Sequence, residues 1–260
     1  MVSTIKSYFC LNNLFLVYNL ILKNLKVRYR GSLLGLFWTV LIPAFTSLVY
    51  FFIFKYILKV TIENYLLFIM TGLIPWTFFS QTLFAGLESL VSNHTLLNKV
   101  PIPPQSLVLA ETCTYFINLI FSLPVLLFVI AVSTINFNIH MLQYFYFIAL
   151  LFIMANSMSI ILSFLYVYFR DLKFLVSIII QFWFYLTPIM YAKSMIPENY
   201  LKLFYYNPIG IIFLALHDCI LNTALVSADY YLAATLWTLF FLITSVFILN
   251  TYSDNVVESL

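Results

Sequence analysis

The stretch NLKVRYRGSLLGLFWTVLIP, residues 24–43, sets Lys26, Arg28 and Arg30 against one of the longest apolar runs of the chain, with Lys23 just ahead of it. Cations in such a place can do two kinds of chemistry. They can grip phosphate oxygens, arginine with two parallel N–H donors. They can also fix the orientation of the next span and attract anionic lipid, at about 1 kcal/mol per cation. Other reactive side chains are scattered. His94, His140 and His217 have no second ligand at helical spacing, so no metal site is expected. Cys10, Cys113 and Cys219 follow no paired or metal-binding spacing. No Ser-His-Asp set or carboxylate pair stands out, and no G-x-x-x-x-G-K-[ST] phosphate loop occurs. No catalytic residue is therefore assigned, and ATP is not expected to bind this chain by that route.

The elements that hold these cations follow from composition. The chain has 260 residues, of which 64% are hydrophobic and 8% charged, with a mean hydropathy of +1.04. A soluble domain is about half apolar and about a quarter charged, and so few charges could not cover this apolar surface in water. The solvent is lipid, and the chain reads as a polytopic membrane protein. The net charge of +3 is too small to imply a nucleic-acid partner.

A spanning helix needs about 20 apolar residues. Six runs qualify, at about 33–57, 64–87, 106–133, 141–168, 174–192 and 230–250. They are apolar all round, unlike the alternating segments of a β-barrel, so an all-α membrane protein is expected. Residues 1–31 differ. On a helix, Asn12, Asn19, Lys23, Lys26 and Arg30 share one narrow stripe, with apolar residues off it. That pattern predicts a helix lying in the membrane surface; a short extra span is the alternative.

With the N-terminus inside, the inner side holds Lys6, Lys23, Lys26, Arg28, Arg30, Lys99, Arg170 and Lys173, against Lys55, Lys59, Lys193 and Lys202 outside. The bias predicts that both termini are cytoplasmic. The inner loop, residues 88–105, reads as a short helix stopped by Pro101, Pro103 and Pro104. The outer loop, about 195–222, holds amphipathic stretches near 197–206 and 209–221, broken at Asn207-Pro208, and predicts a re-entrant pair. Charge at mid-membrane depth, the mark of an ion-coupled transporter, is nearly absent. Energy for uphill transport is then expected from a partner.

Six motifs occur in order: LKVRYRGSLLGLFWTVLIP (25–43), MTGLIPWTFFSQTL (70–83), NKVPIPP (98–104), YFRDLKFL (168–175), LTPIMY (186–191) and YNPIG (206–210), followed by the tail YSDNVVESL (252–260). Together they resemble the membrane subunit of type-2 ABC exporters for polysaccharides, the family of O-antigen, teichoic-acid and some capsule exporters. The resemblance covers essentially the whole chain; Gln105 stands where relatives often carry Arg or a similar polar residue. It implies an interfacial segment at 1–31 and a six-helix domain at 32–260. It also implies a homodimer in the bacterial inner membrane above two copies of an ATP-binding subunit, which would hold the ATP and Mg. The implied cargo is a glycan on a polyprenyl diphosphate lipid, with O-antigen ranked first.

Within that resemblance the residues take expected roles. Leu96, Leu97, Asn98, Lys99, Val100 and Pro101 form the contact that couples to the ATPase, an ordinary capped loop being the alternative. Lys23, Lys26, Arg28 and Arg30 receive the lipid diphosphate, unless their role is only topological. Trp38, Trp76, Phe79, Trp183 and Tyr185 line the glycan path, since sugars stack on aromatic rings; lipid-facing and interfacial aromatics are the alternative. Gly31 and Gly35 make either a bend or a close helix contact. Asn207, Pro208 and Gly210 form an outer gate. Rival functions are a secondary transporter or channel without an ATPase, a type-2 permease for small lipids or drugs, and a scaffold.

Overall fold

The structure is a computed structural model that describes residues 11–259 apart from 101, 136, 198, 201–203, 205, 223 and 224. Helix α1 spans Leu11–Tyr29. Helix α2, Phe37–Phe52, runs on as a π-helical turn over Ile53–Ile57. Then follow α3 (Tyr65–Ser92), the short α4 (His94–Lys99) and α5 (Pro104–Val132). Helix α6 covers Gln143–Tyr168, α7 Leu172–Leu186, α8 Pro208–His217 and α9 Ala228–Ser259. No strand occurs among the described residues. The protein is an all-α membrane protein.

Among the described residues, five helical stretches are long and apolar enough to cross a bilayer: Phe37–Ile57, Tyr65–Ser92, Pro104–Val132, Ile139–Tyr168 and Ala228–Ser253. The expected span at 174–192 is shorter. Helix α7 has 15 residues, about 22 Å of helix against a hydrocarbon core of about 30 Å. Pro188 stops it: the residue before a proline is pushed out of helical geometry, and Thr187 is extended at φ −100°, ψ 135°. The run continues as a buried, bent segment, Thr187 to Met190, in which the Ile189 amide donates to the Thr187 carbonyl at 2.7 Å.

Helix α3 is the centre of the bundle. In its apolar window 78% of residues are buried, against 11% for Phe37–Ile57. It packs on α5 and α6, and α9 packs on the far side of α6. Gly86 allows the close approach of α3 to α6, because a Cβ there would stand 2.4 Å from Ser159 Cβ. Helices α2 and α7 sit at the edge, both touching α3, and Tyr50 and Phe184 bring their rings to 6.4 Å.

The Gly31–Gly35 segment is a bend. Both glycines have positive φ, +76° and +49°, with nothing within 4 Å of an added Cβ, so backbone conformation rather than crowding requires glycine there. Ser32 Oγ accepts from the Gly35 amide at 3.0 Å and holds the turn.

The outer segment differs from the amphipathic expectation. Every residue of α8 from Ile209 to His217 is buried, because α3, α6 and α9 surround it. The companion stretch 197–206 includes 198, 201–203 and 205, which lie outside the described residues, as do residues 1–10 of the interfacial segment.

Candidate functional site

Helix α1 presents two faces. Val17 and Leu20 are buried against α5 and join a cluster that contains Leu97 and Ile102. Asn24 and Arg28 continue that face at helical spacing, one and two turns on. Asn24 Nδ2 donates to Glu111 Oε1 at 2.9 Å, and Arg28 pairs with Glu111 at 3.7 Å. The Arg28 guanidinium lies 4.0 Å from the centre of the Tyr115 ring, a cation–π contact. Tyr29 donates to Asn118 Oδ1 at 3.2 Å. Burial raises the Tyr29 phenol above its ordinary value, opposed by the Arg28 charge, so the donor keeps its proton.

The four cations therefore divide. Arg28 serves the seam between α1 and α5, nearly opposite Lys26 and Arg30 around the helix. Lys23 Nζ donates to Asn93 Oδ1 at 2.8 Å, and so ties α1 to α4. Lys26 and Arg30 are exposed. Asn24, Asn93, Glu111 and Asn118 were not among the residues expected to act. The available signal was the spacing of Asn24 and Arg28 from Val17 and Leu20, which places them on the packed face.

Helix α4 is a six-residue helix preceded by Asn93. Its first turn closes as Leu96 and Leu97 amides donate to the Asn93 carbonyl at 2.9 and 3.1 Å. Leu97 is 5% exposed, and fixes the helix to the core. Leu96 is half-buried, while Asn98, Lys99 and Val100 face outward. The chain then turns extended at Val100 (φ −134°, ψ 133°), and Pro104 opens α5. Pro101 lies outside the described residues. A short helix anchored at one side chain and displaying the next three can transmit a push as a rigid body.

The aromatic residues fall into separate settings. Trp76 and Phe79 are buried in the bundle, with Trp76 5.4 Å from Phe184 and 6.0 Å from Phe213 between ring centres. Trp183 is half-buried and donates through Nε1 to Asn207 Oδ1 at 2.9 Å. Trp38 and Tyr185 are exposed on α2 and α7. Trp38 and Arg28 meet in a cavity of about 360 Å³, together with Gln81, Tyr115, Asn118 and Ser122. One residue expected to hold phosphate and one expected to face sugar thus share one space below the bend.

At the outer end Asn207 is the cap of α8. Its Oδ1 also accepts from the Ile209 amide at 3.2 Å, and its Nδ2 donates to the Leu186 carbonyl at 3.3 Å. Pro208 takes the first helical position, where no amide is needed. Gly210 has no room for a side chain, since a Cβ would lie 2.9 Å from Asn207 Nδ2. Asn207→Ala is expected to cost about 1–2 kcal/mol, the loss of a cap and of the half-buried partner of Trp183. The thermal midpoint in detergent should fall, and fall less for Asn207→Asp, which keeps the acceptor oxygen that takes the Trp183 and Ile209 N–H groups; equal midpoints for all three would oppose this role.

Among the described residues no cluster of three His, Cys, Asp or Glu could hold a metal ion, and no Asp, Glu, Lys or Arg is fully buried. Many hydroxyls inside the spans are committed to their own helices, as Thr71 and Thr114 donate to the carbonyls of Leu67 and Ala110, while others tie helices together, as Thr112 donates to Asn156 Oδ1 and Ser122 to the Thr39 carbonyl.

The family model described as ABC-2 type transporter matches residues 16–221. An O-antigen export system permease protein RfbA of Klebsiella pneumoniae is 33% identical over 225 residues, 86% of each chain. An RfbA protein of Myxococcus xanthus is 32% identical over 71% of each chain. The polysialic acid transport protein KpsM of Escherichia coli is 23% identical over 85% of this chain and 88% of its own. With the family match running from the middle of α1 to the turn that follows α8, the chain belongs to the ABC-2 type transporter membrane family.

Proposed function

We propose that this chain is the permease subunit of an ATP-driven exporter that moves a polyprenyl-diphosphate-linked polysaccharide, of the O-antigen class, out of the cytoplasm. The observation that carries this reading is α4: a short helix, pinned by Leu97 and Asn93, that offers Asn98, Lys99 and Val100 to a partner. Two copies of an ATP-binding subunit would press on it and hold the ATP and Mg. The O-antigen export permeases found at about one-third identity support the cargo class. Capsule or teichoic-acid polymers are the second reading, favoured by the more distant polysialic acid transporter.

The protein works as a homodimer in the bacterial inner membrane. Helices α2 and α7 are the spans least covered by the chain's own packing and adjoin at Tyr50 and Phe184. The second copy faces them, and the glycan passes between copies along Trp38 and Tyr185, with Trp76 and Phe79 supporting from the core. Helices α1 and α4 and both termini lie at the cytoplasmic side, a reading the charge bias supports, and α7 completes the sixth crossing with the buried, bent Thr187–Met190 segment. Lys26 and Arg30 meet the diphosphate at the membrane surface, and Arg28 receives it near Trp38.

The test is complementation. Cells that lack their own O-antigen export permease should regain surface polysaccharide when given this chain together with its partner ATPase and the enzymes that build its glycan. Accumulation of the lipid-linked glycan inside, despite normal membrane insertion, would oppose the cargo class.

A further inference from the structure

A cavity of about 880 Å³ opens at the end of the bundle where α3 begins. Helix α4 follows the other end of α3, 28 residues on, or about 42 Å of helix. The floor of the cavity carries Phe68, Leu214 and His217, all buried. Its rim carries Glu63 and Thr134, both exposed, with Asn64, Lys193 and Asp218. Asn64 Nδ2 donates to Thr134 Oγ1 at 3.0 Å, and Lys193 Nζ to the Tyr230 hydroxyl at 2.8 Å, so these parts of the rim are held in place. His217 is different. It is 6% exposed and its ring stacks on Phe68 with 4.0 Å between centres, yet neither Nδ1 nor Nε2 makes a hydrogen bond. Gly72 leaves room for the ring, since an added Cβ would stand 3.1 Å from Nε2. Burial holds the ring well below the usual histidine pKa, opposed in part by the Pro188 carbonyl, so the imidazole is neutral. A neutral imidazole has one N–H to give and one lone pair to fill, and buried polar groups nearly always find such partners.

We propose that this cavity is a binding site for a neutral sugar, whose hydroxyls pair with the His217 ring at the floor and with the Glu63 and Asp218 carboxylates at the rim. A hydroxyl both gives and accepts a hydrogen bond, which is what a neutral imidazole requires. Two carboxylates against one ammonium in the lining disfavour an anion. A metal ion is not the ligand, because among the described residues no three His, Cys, Asp or Glu could hold one. The volume falls within the range of small-molecule sites, about 300–1,000 Å³, and an apolar floor with a few convergent polar groups is their usual pattern. The sidedness of the site rests on the reading of α4 as the cytoplasmic contact. The cavity then lies on the outer side and takes a sugar unit that has already crossed. It is built within one copy, apart from the path between copies along Trp38 and Tyr185. A sugar held there would oppose the return of the emerging chain.

The experiment is saturation-transfer NMR on the full-length permease in nanodiscs, with free glucose, galactose, mannose and N-acetylglucosamine as probes. At least one of the four should bind saturably. His217→Leu removes both ring nitrogens at similar volume. It should weaken that sugar at least tenfold while the thermal midpoint holds or rises, because an unpaired polar group leaves the interior; a histidine that served the fold alone would lower the midpoint and leave affinity intact. Glu63→Ala, a change at an exposed position, should weaken the sugar several-fold with the fold untouched. Arg170→Gln, in the turn between α6 and α7, should leave binding unchanged. No saturable binding of any of the four, parent-like affinity in His217→Leu or Glu63→Ala, or an equal loss in Arg170→Gln would overturn the proposal. Because this binding needs neither ATP nor the partner ATPase, failure of export with binding intact counts against the proposed function and leaves the sugar site standing, whereas export without sugar binding removes the site alone.

Discussion

Leu97→Asp is expected to abolish ATP-driven export while the protein still inserts. Leu97 is buried beside Val17, Leu20 and Ile102, and removing its apolar side chain alone costs about 2–3 kcal/mol. A carboxylate left there without a partner costs several kcal/mol more. The cheaper outcome is that α4 leaves its seat, because six residues and one tie to Lys23 hold it, whereas long helices hold the bundle. The partner ATPase should then fail to co-purify. Adding Lys99→Glu should strengthen that loss by reversing a charge on the outward face. Leu97→Met keeps the volume and should cost under about 1.5 kcal/mol, with export preserved. Normal co-purification and export for Leu97→Asp would remove α4 from the mechanism.

Gly86→Val is expected to have the largest effect on stability. The first added carbon would stand 2.4 Å from Ser159 Cβ and 2.6 Å from its Oγ. Ser159 has little freedom to yield, since it is fully buried and its Oγ donates to the Thr82 carbonyl at 3.2 Å. Helices α3 and α6 must part along one of the long contacts of the central helix. Overpacking of this kind costs about 1–3 kcal/mol or more, and the thermal midpoint and yield in detergent should drop sharply. Ser159→Gly introduced alongside Gly86→Ala should recover most of the loss, because it vacates the space that the new methyl fills. An unchanged midpoint for Gly86→Val would mean that the two helices are not held this closely.

Much of the fold was legible in one dimension because lipid imposes a length. Five of the six apolar runs became long helices, although α3 runs on to Ser92 and α9 to Ser259, past their expected ends at 87 and 250, and the sixth shortened where Pro188 dictates it. The stop was visible in the sequence, yet the run of apolar residues continued past it. Helix α8 was harder. Its sequence suggests a helix with one wet face, but burial on all sides depends on α3, α6 and α9 closing around it, which no local pattern encodes.

The candidate site was legible by residue type and less so by partner. The cluster of Lys23, Lys26, Arg28 and Arg30 reads as one basic patch, although the helical period already sets Arg28 apart. What the period cannot supply is Glu111, 83 positions further along the chain than Arg28, or Asn93, which receives Lys23. The aromatic residues show the same limit. Trp38 and Trp76 are equal as letters, but one lies on an edge helix and the other on the central one, and only packing tells them apart.

The most direct measurement is ATP-driven transfer of a polyprenyl-diphosphate-linked glycan across sealed vesicles that contain this chain and its partner ATPase. Glycan should reach the far side only with ATP and Mg, and transfer should fall to background when the ATPase active site is inactivated or when Leu97→Asp replaces the parent. Transfer that continues without ATP hydrolysis, or without the partner, would contradict the account and point to a channel or secondary transporter.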